Sequence, residues 1–205
     1  MPVSRRLLLS LPLSALALPR AAPAAESGAP AGVVQRFCDE LLAVMKQAKR
    51  LSFDQRYSLL APAIARAFNL PLMSRLSVGP EWSQLRPDLQ QRIGEAFARY
   101  TISVYANRFD DYGGERFEVA ATPVANASGS IVQTWLVKAN GEKVSLNYLM
   151  RAAGAAGWQI IDVYLSGTVS ELATRRSEFA SVLQRGGAEG LVRMLDQRSA
   201  ELRTG

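Results

Sequence analysis

Asp162 stands inside the apolar run Trp158 to Leu165 and is the residue in this chain best suited to moving a proton. Apolar surroundings let a carboxylate base and a phenolic hydrogen-bond donor work together without histidine. Asp162 with Tyr100 or Tyr148 therefore suits proton transfer within a steroid-like substrate. Arg176 offers a competing arrangement. On a helical wheel it falls in the middle of an apolar face made by Val169, Leu172, Ala173, Phe179, Ala180 and Leu183, where a guanidinium either finds a partner or carries its charge out to water along its stem. An ion pair from Asp162 to Arg176 would hold the carboxylate ionised and structurally occupied, which disfavours its use as a base.

Most other chemistries are excluded by composition. The 205 residues include no histidine, which removes Ser-His-Asp and Cys-His catalysis, histidine-based metal sites and the usual neutral-pH acid or base. Neither a GxGxxG nor a Walker pattern occurs, and Gly113-Gly114 and Gly186-Gly187 read as helix stops. Cys38 is the only cysteine, so no internal disulfide can form. It lacks a Leu-x-x-Cys context for lipid anchoring and borders the apolar face of the first helix, where it serves as a small buried hydrophobe. No cofactor and no metal is expected.

The elements that must position these residues follow from periodicity. The apolar positions of Trp158 to Leu165 are nearly continuous, so this strand must be covered on both faces and is central, with Asp162 sharing a face with Trp158, Ile160 and Tyr164. Gly167 breaks it, and Ser170 or Thr168 caps a helix from about Val169 to Arg185, with Glu171 in its first turn. A last helix runs from Ala188 to Leu202. Upstream, spacing predicts a helix over roughly Ala31 to Arg50 and a second one to about Phe68. The second is opened by the capping box Ser52-Phe53-Asp54-Gln55, with Pro62 expected to kink or break it. A short apolar helix follows through Leu72, Met73 and Leu76, ended by Gly79-Pro80, and the longest helix runs from Pro87 to about Tyr112. The signal then changes to period two, giving strands over Arg116 to Ala125, Ile131 to Ala139, Lys143 to Arg151 and Trp158 to Ser166, with Asn140-Gly141 as a hairpin turn. The fold class is α+β: a curled four-stranded antiparallel meander wrapped by about six helices and enclosing an apolar pocket.

Residues 1–24 read as an export signal: Arg5 and Arg6, the apolar stretch Leu7 to Leu18, and the small-residue site Ala22-Pro23-Ala24. Ser4-Arg5-Arg6 fits a twin-arginine signal as well as a plain secretory one. Cleavage near Ala24 would remove three arginines and no acid, lowering the formal charge from +6 to +3. So mild a basic balance, without basic runs interleaved with aromatics, argues against nucleic acid as a partner. Residues 25–205 then form a single domain.

The order of Asp162, Gly167, Ser170, Arg176, Ser177 and Phe179, an acid in an apolar strand followed by a glycine, a helix-opening serine and Arg-Ser-x-Phe, resembles the MlaC or toluene-tolerance family. The wording GTVSELATRRSEF is most similar to its hopanoid-associated branch, HpnM, although one extra residue separates Gly167 from Ser170 relative to the commoner Gly-Val-Ser form. The resemblance extends over most of the chain, including Trp82, the long helix before Tyr112 and the turn at Gly186. It implies a cone similar to nuclear-transport-factor-like folds that holds lipid tails. It also implies a soluble periplasmic carrier of a membrane lipid, phospholipid or hopanoid, working with an inner-membrane ABC transporter complex and an outer-membrane lipoprotein complex.

Under that reading the expected pocket lining is Leu72, Leu76, Trp82, Phe97, Tyr100, Val104, Leu136, Ile161, Val163, Leu165, Val169 and Phe179. Two other functions compete with it. One is an isomerase-like enzyme on the same fold, using Asp162. The other is an envelope adaptor or chaperone without lipid cargo, docking a protein on the Leu72 to Trp82 patch.

Overall fold

The computed structural model describes residues 29–204, so the expected export signal lies outside the described residues. The described residues form five α-helices: α1 (Pro30–Met45), α2 (Phe53–Ala67), α3 (Leu70–Val78), α4 (Pro87–Arg108) and α5 (Glu171–Thr204). α1 ends earlier than periodicity predicts, and Ala48–Arg50 forms a separate 3-10 turn. The capping box at α2 is complete, with Ser52 Oγ accepting from Gln55 N–H and the Gln55 side chain accepting from Ser52 N–H. Pro62 sits inside α2 without ending it. α4 stops at Arg108, before the glycine pair expected to terminate it.

Seven strands replace the expected four: β1 (Arg116–Val119), β2 (Val124–Asn126), β3 (Gly129–Val132), β4 (Thr134–Val137), β5 (Lys143–Ala152), β6 (Trp158–Leu165) and β7 (Val169–Ser170). Every pairing between them is antiparallel. Two of the expected strands are each bent into halves. β3 and β4 lie end to end along one edge of β5, with Val132 opposite Tyr148 and Trp135 opposite Ser145. The ladder lapses at the bend, where the Asn147 side chain accepts hydrogen bonds from Thr134 N–H at 3.1 Å and Ser145 Oγ at 3.2 Å. β1 and β2 follow the same bend, separated by a link containing Pro123, which has no N–H to donate.

Gly129 makes the tight β2–β3 return possible. It has φ +155°, and a Cβ there would stand 2.1 Å from the carbonyl oxygen of Met150. A second irregularity lies in β6. Leu149 pairs with Asp162 and the next residue, Met150, pairs with Ile160, leaving Ile161 as the unopposed residue of a bulge. The bulge reverses the pleat, so Ile160 shares the Tyr148 and Val163 face while Asp162 and Tyr164 take the other. This corrects the expectation that Trp158, Ile160, Asp162 and Tyr164 share one side.

α5 is broken at Gly187, whose φ of +62° and ψ of −168° suit glycine alone. Its arms fold back on each other. Glu178 and Arg198 form an ion pair, yet 20 residues of straight helix would hold them about 30 Å apart. The first arm packs Phe179 edge-on against Phe97 of α4 at 6.3 Å. The second runs parallel to α4, tied by Arg92 to Glu189 at 2.6 Å and Arg99 to Asp196 at 2.8 Å. The core lies between sheet and helices, where Phe37, Phe68, Phe97, Phe179, Met150 and Ile160 are fully buried, as is Cys38. Burial pushes the Cys38 thiol far up.

Candidate functional site

The bent sheet and the C-terminal half of α4 do not meet everywhere. Between them is a cavity of about 310 Å³. Its sheet wall is built from cross-strand neighbours on one face: Leu136 opposite Val144, Leu165 opposite Leu146, and Val163 opposite Tyr148. Alternation along β5 supplies Val144, Leu146 and Tyr148, and the pleat reversal at Ile161 brings Val163 and Leu165 of β6 into line with them. Across the space, α4 presents Thr101, Val104, Tyr105 and Arg108 at three- and four-residue spacing, followed by Phe109. Phe68 and Met73 close the end formed by the α2–α3 junction.

Polar groups occur at two levels. Within the cavity, the hydroxyls of Tyr105 and Tyr148 are paired with each other, and burial pushes both phenols well above their ordinary range, so they remain neutral. Thr101 is only 4% exposed, and its hydroxyl has no hydrogen-bond partner among the described residues. The rim carries Arg108, Glu171 and Arg175. Glu171 stands between the two guanidiniums, 3.9 Å from Arg108 and 3.5 Å from Arg175. Arg175 also lies over the Tyr100 ring at 4.8 Å and the Phe97 ring at 5.8 Å. An apolar interior with a charged rim can hold a hydrocarbon chain and leave a polar end at the opening.

Asp162 is used differently from either expectation. It is 3% exposed and does not line the cavity. One carboxylate oxygen accepts from Val163 N–H at 2.8 Å and from Leu172 N–H at 2.9 Å, while the other accepts from Ser170 Oγ at 2.6 Å. Ser170 Oγ in turn accepts from Ala173 N–H at 2.9 Å. The tight β6–β7 return through Ser166 and Gly167 places Ser170 beside the acid, so the two side chains jointly cap α5. The expected Asp162 to Arg176 ion pair is not formed. One helix N–H, the Val163 N–H of β6 and a hydroxyl satisfy the carboxylate, and the Arg176 guanidinium lies against Gly79, where a Cβ would be 3.0 Å from its Nε. Asp162 also shares the cavity with neither of its expected phenol partners, since Tyr148 lines the cavity while Tyr100 lies beneath Arg175.

Of the expected lining, the cavity brings together Val104, Leu136, Val163 and Leu165. The others lie elsewhere for identifiable reasons. Phe97 and Phe179 fill the α4–α5 interface, and Tyr100 supports Arg175 on that same side of α4. Ile161 is the buried bulge residue, and Val169, 53% exposed, lies in the return beyond β6. Leu72 and Leu76 are half-buried on α3, whose contribution is Met73 instead, while Trp82 borders a separate groove with Leu70, Pro71 and Gln90. Sequence reading missed the stripe Thr101, Tyr105, Arg108 and the alternating Val144, Leu146, Tyr148. Both carry a legible period, but neither period says which of two covered faces borders a space.

Among the described residues no cluster of potential metal ligands occurs, and no helix is long and apolar enough to cross a membrane. The family model described as MlaC protein matches residues 35–197. No curated protein matches the chain. Among solved structures it is similar to a phospholipid-binding protein from Ralstonia solanacearum, determined in complex with a phospholipid. The two share 26% sequence identity with a TM-score of 0.73, over 84% of this chain and 98% of that one.

Proposed function

The chain belongs to the MlaC family, and on that premise we propose that it is a soluble periplasmic carrier that shields the tail of a membrane lipid during passage between membranes. The observation that carries the reading is the apolar cavity between sheet and α4, with charge confined to its rim. Each buried methylene contributes about 0.8 kcal/mol, so tight binding needs no catalytic group. The similar Ralstonia protein, with its phospholipid, supports lipid as cargo. Phospholipid is the first candidate and a hopanoid the second, the latter resting on the likeness of residues 167–179 to the HpnM branch. Residues 25–205 act as a single exported domain, released by cleavage near Ala24. It delivers to or collects from an inner-membrane ABC transporter complex and an outer-membrane lipoprotein complex. Val104, Leu136, Val163 and Leu165, with Val144, Leu146 and Tyr105, contact the tail.

Mass spectrometry of the organic extract of the purified protein tests this reading. Stoichiometric lipid is expected. An extract free of lipid, from protein that also fails to take up lipid from vesicles, would leave an envelope adaptor as the better reading.

A further inference from the structure

The rim of the cavity is chemically more specific than tail binding requires. Arg108, Glu171 and Arg175 bring two fixed positive charges and one negative charge to a single opening, leaving an excess of one positive charge. The contacts of 3.9 and 3.5 Å to Glu171 are longer than the roughly 2.7–2.9 Å of a close charge-assisted hydrogen bond. Glu171 thus holds Arg175 by one long hydrogen bond and Arg108 by charge alone. Arg175 is held in place from beneath by the faces of Tyr100 and Phe97, and its side chain is only 12% exposed. Arg108 is 56% exposed and can turn toward a ligand. Deeper in, the Thr101 hydroxyl is buried against the cavity without a partner among the described residues. A buried hydroxyl left unsatisfied is costly. A ligand with an anionic end and an oxygen a short way down its chain would satisfy both features at once.

We propose that Arg108 and Arg175 form an anionic head-group site, in which a lipid phosphate takes the place of Glu171 between the guanidiniums and a linkage oxygen reaches Thr101. A net-negative lipid neutralises the single excess positive charge of the rim, whereas the ammonium of a zwitterionic head cancels its own phosphate, so the site favours the former over a zwitterionic or uncharged lipid with the same tails. This rests on the carrier reading. It adds selectivity at the rim, since a purely apolar cavity would accept any head left in water.

The test is displacement of a fluorescent fatty acid from the delipidated protein by three dioleoyl lipids: phosphatidylglycerol, phosphatidylethanolamine and diacylglycerol. Phosphatidylglycerol is expected to bind about tenfold more tightly than the other two. Arg108→Gln should abolish that preference, bringing phosphatidylglycerol to the affinity of phosphatidylethanolamine. Being largely exposed, Arg108 gives a safer variant than Arg175→Gln, which also removes packing on Tyr100. Equal affinity for phosphatidylglycerol and phosphatidylethanolamine, or a preference that survives Arg108→Gln, would overturn the head-group site and leave the carrier standing. Failure of all three lipids to bind would overturn the carrier and the head-group site together. Saturation of the delipidated protein by inorganic phosphate at micromolar concentration would assign the rim to a free anion and overturn its assignment to a lipid head.

Discussion

Asp162 is a buried carboxylate met by Leu172 N–H at the start of a helix, where N–H groups lack intrahelical partners and the macrodipole favours an anion. Its removal should act on stability before function. Asp162→Ala leaves Leu172 N–H and Ser170 Oγ without their acceptor, at an expected cost of about 1–3 kcal/mol measured by urea denaturation. Asp162→Asn, which retains one acceptor oxygen, should cost less. An Asp162→Ala protein as stable as the native one would remove the capping role. A second prediction separates two valines. Val163 lines the cavity and is 8% exposed, so Val163→Glu places a charge in apolar space and should leave the purified protein without bound lipid. Val169 is 53% exposed in the return beyond β6, so Val169→Glu should retain its lipid. Lipid content after extraction distinguishes them, and loss in both would place the tail elsewhere.

At the scale of elements, the double-backed α5 holds Arg175 and Glu171 over the cavity rim while anchoring itself along α4. Gly187 is the hinge. A side chain there meets backbone strain rather than a clash, since nothing lies within 4 Å of a Cβ built on it. Gly187→Ala is therefore expected to cost about 1–3 kcal/mol, read as a lowered denaturation midpoint with lipid selectivity unchanged. The second arm's pairing to α4 should depend on pH. Hydrogen bonding and attraction from Arg92 hold the Glu189 carboxyl below its usual range. A depressed carboxyl contributes stability that is present above its unfolded pKa and is lost as pH falls through the lower folded value. The difference in denaturation midpoint between the native protein and Arg92→Gln should therefore exist at neutral pH and close under acid conditions. A difference that persists in acid would assign the effect to packing.

At the scale of the whole molecule, a cavity left unfilled in the core means lost dispersion contacts, which a bound tail restores. Lipid that binds only the folded state should raise the melting temperature of delipidated protein. The stabilisation is about 2.7 kcal/mol when free lipid stands at a hundred times Kd. Absence of any lipid-dependent shift in calorimetry would argue against the cavity as a binding site.

Local rules made much of this protein legible. The Ser52 capping box, the α2 to α4 helices, the Asn140-Gly141 turn, the Ser170 cap and the buried Cys38 each follow from nearest neighbours along the chain, and the order of residues from Asp162 to Phe179 pointed to the family. The tertiary structure alone decided the rest. The bend that splits β3 from β4 depends on the Asn147 side chain, and the inward turn of Val163 depends on a bulge set by pairing with Leu149 and Met150. Arg108, Glu171 and Arg175 meet only because α5 runs back along α4. Periodicity reports which faces are apolar. Whether an apolar face is filled or left hollow depends on how far apart two distant elements are held, and no local stretch of sequence encodes that distance.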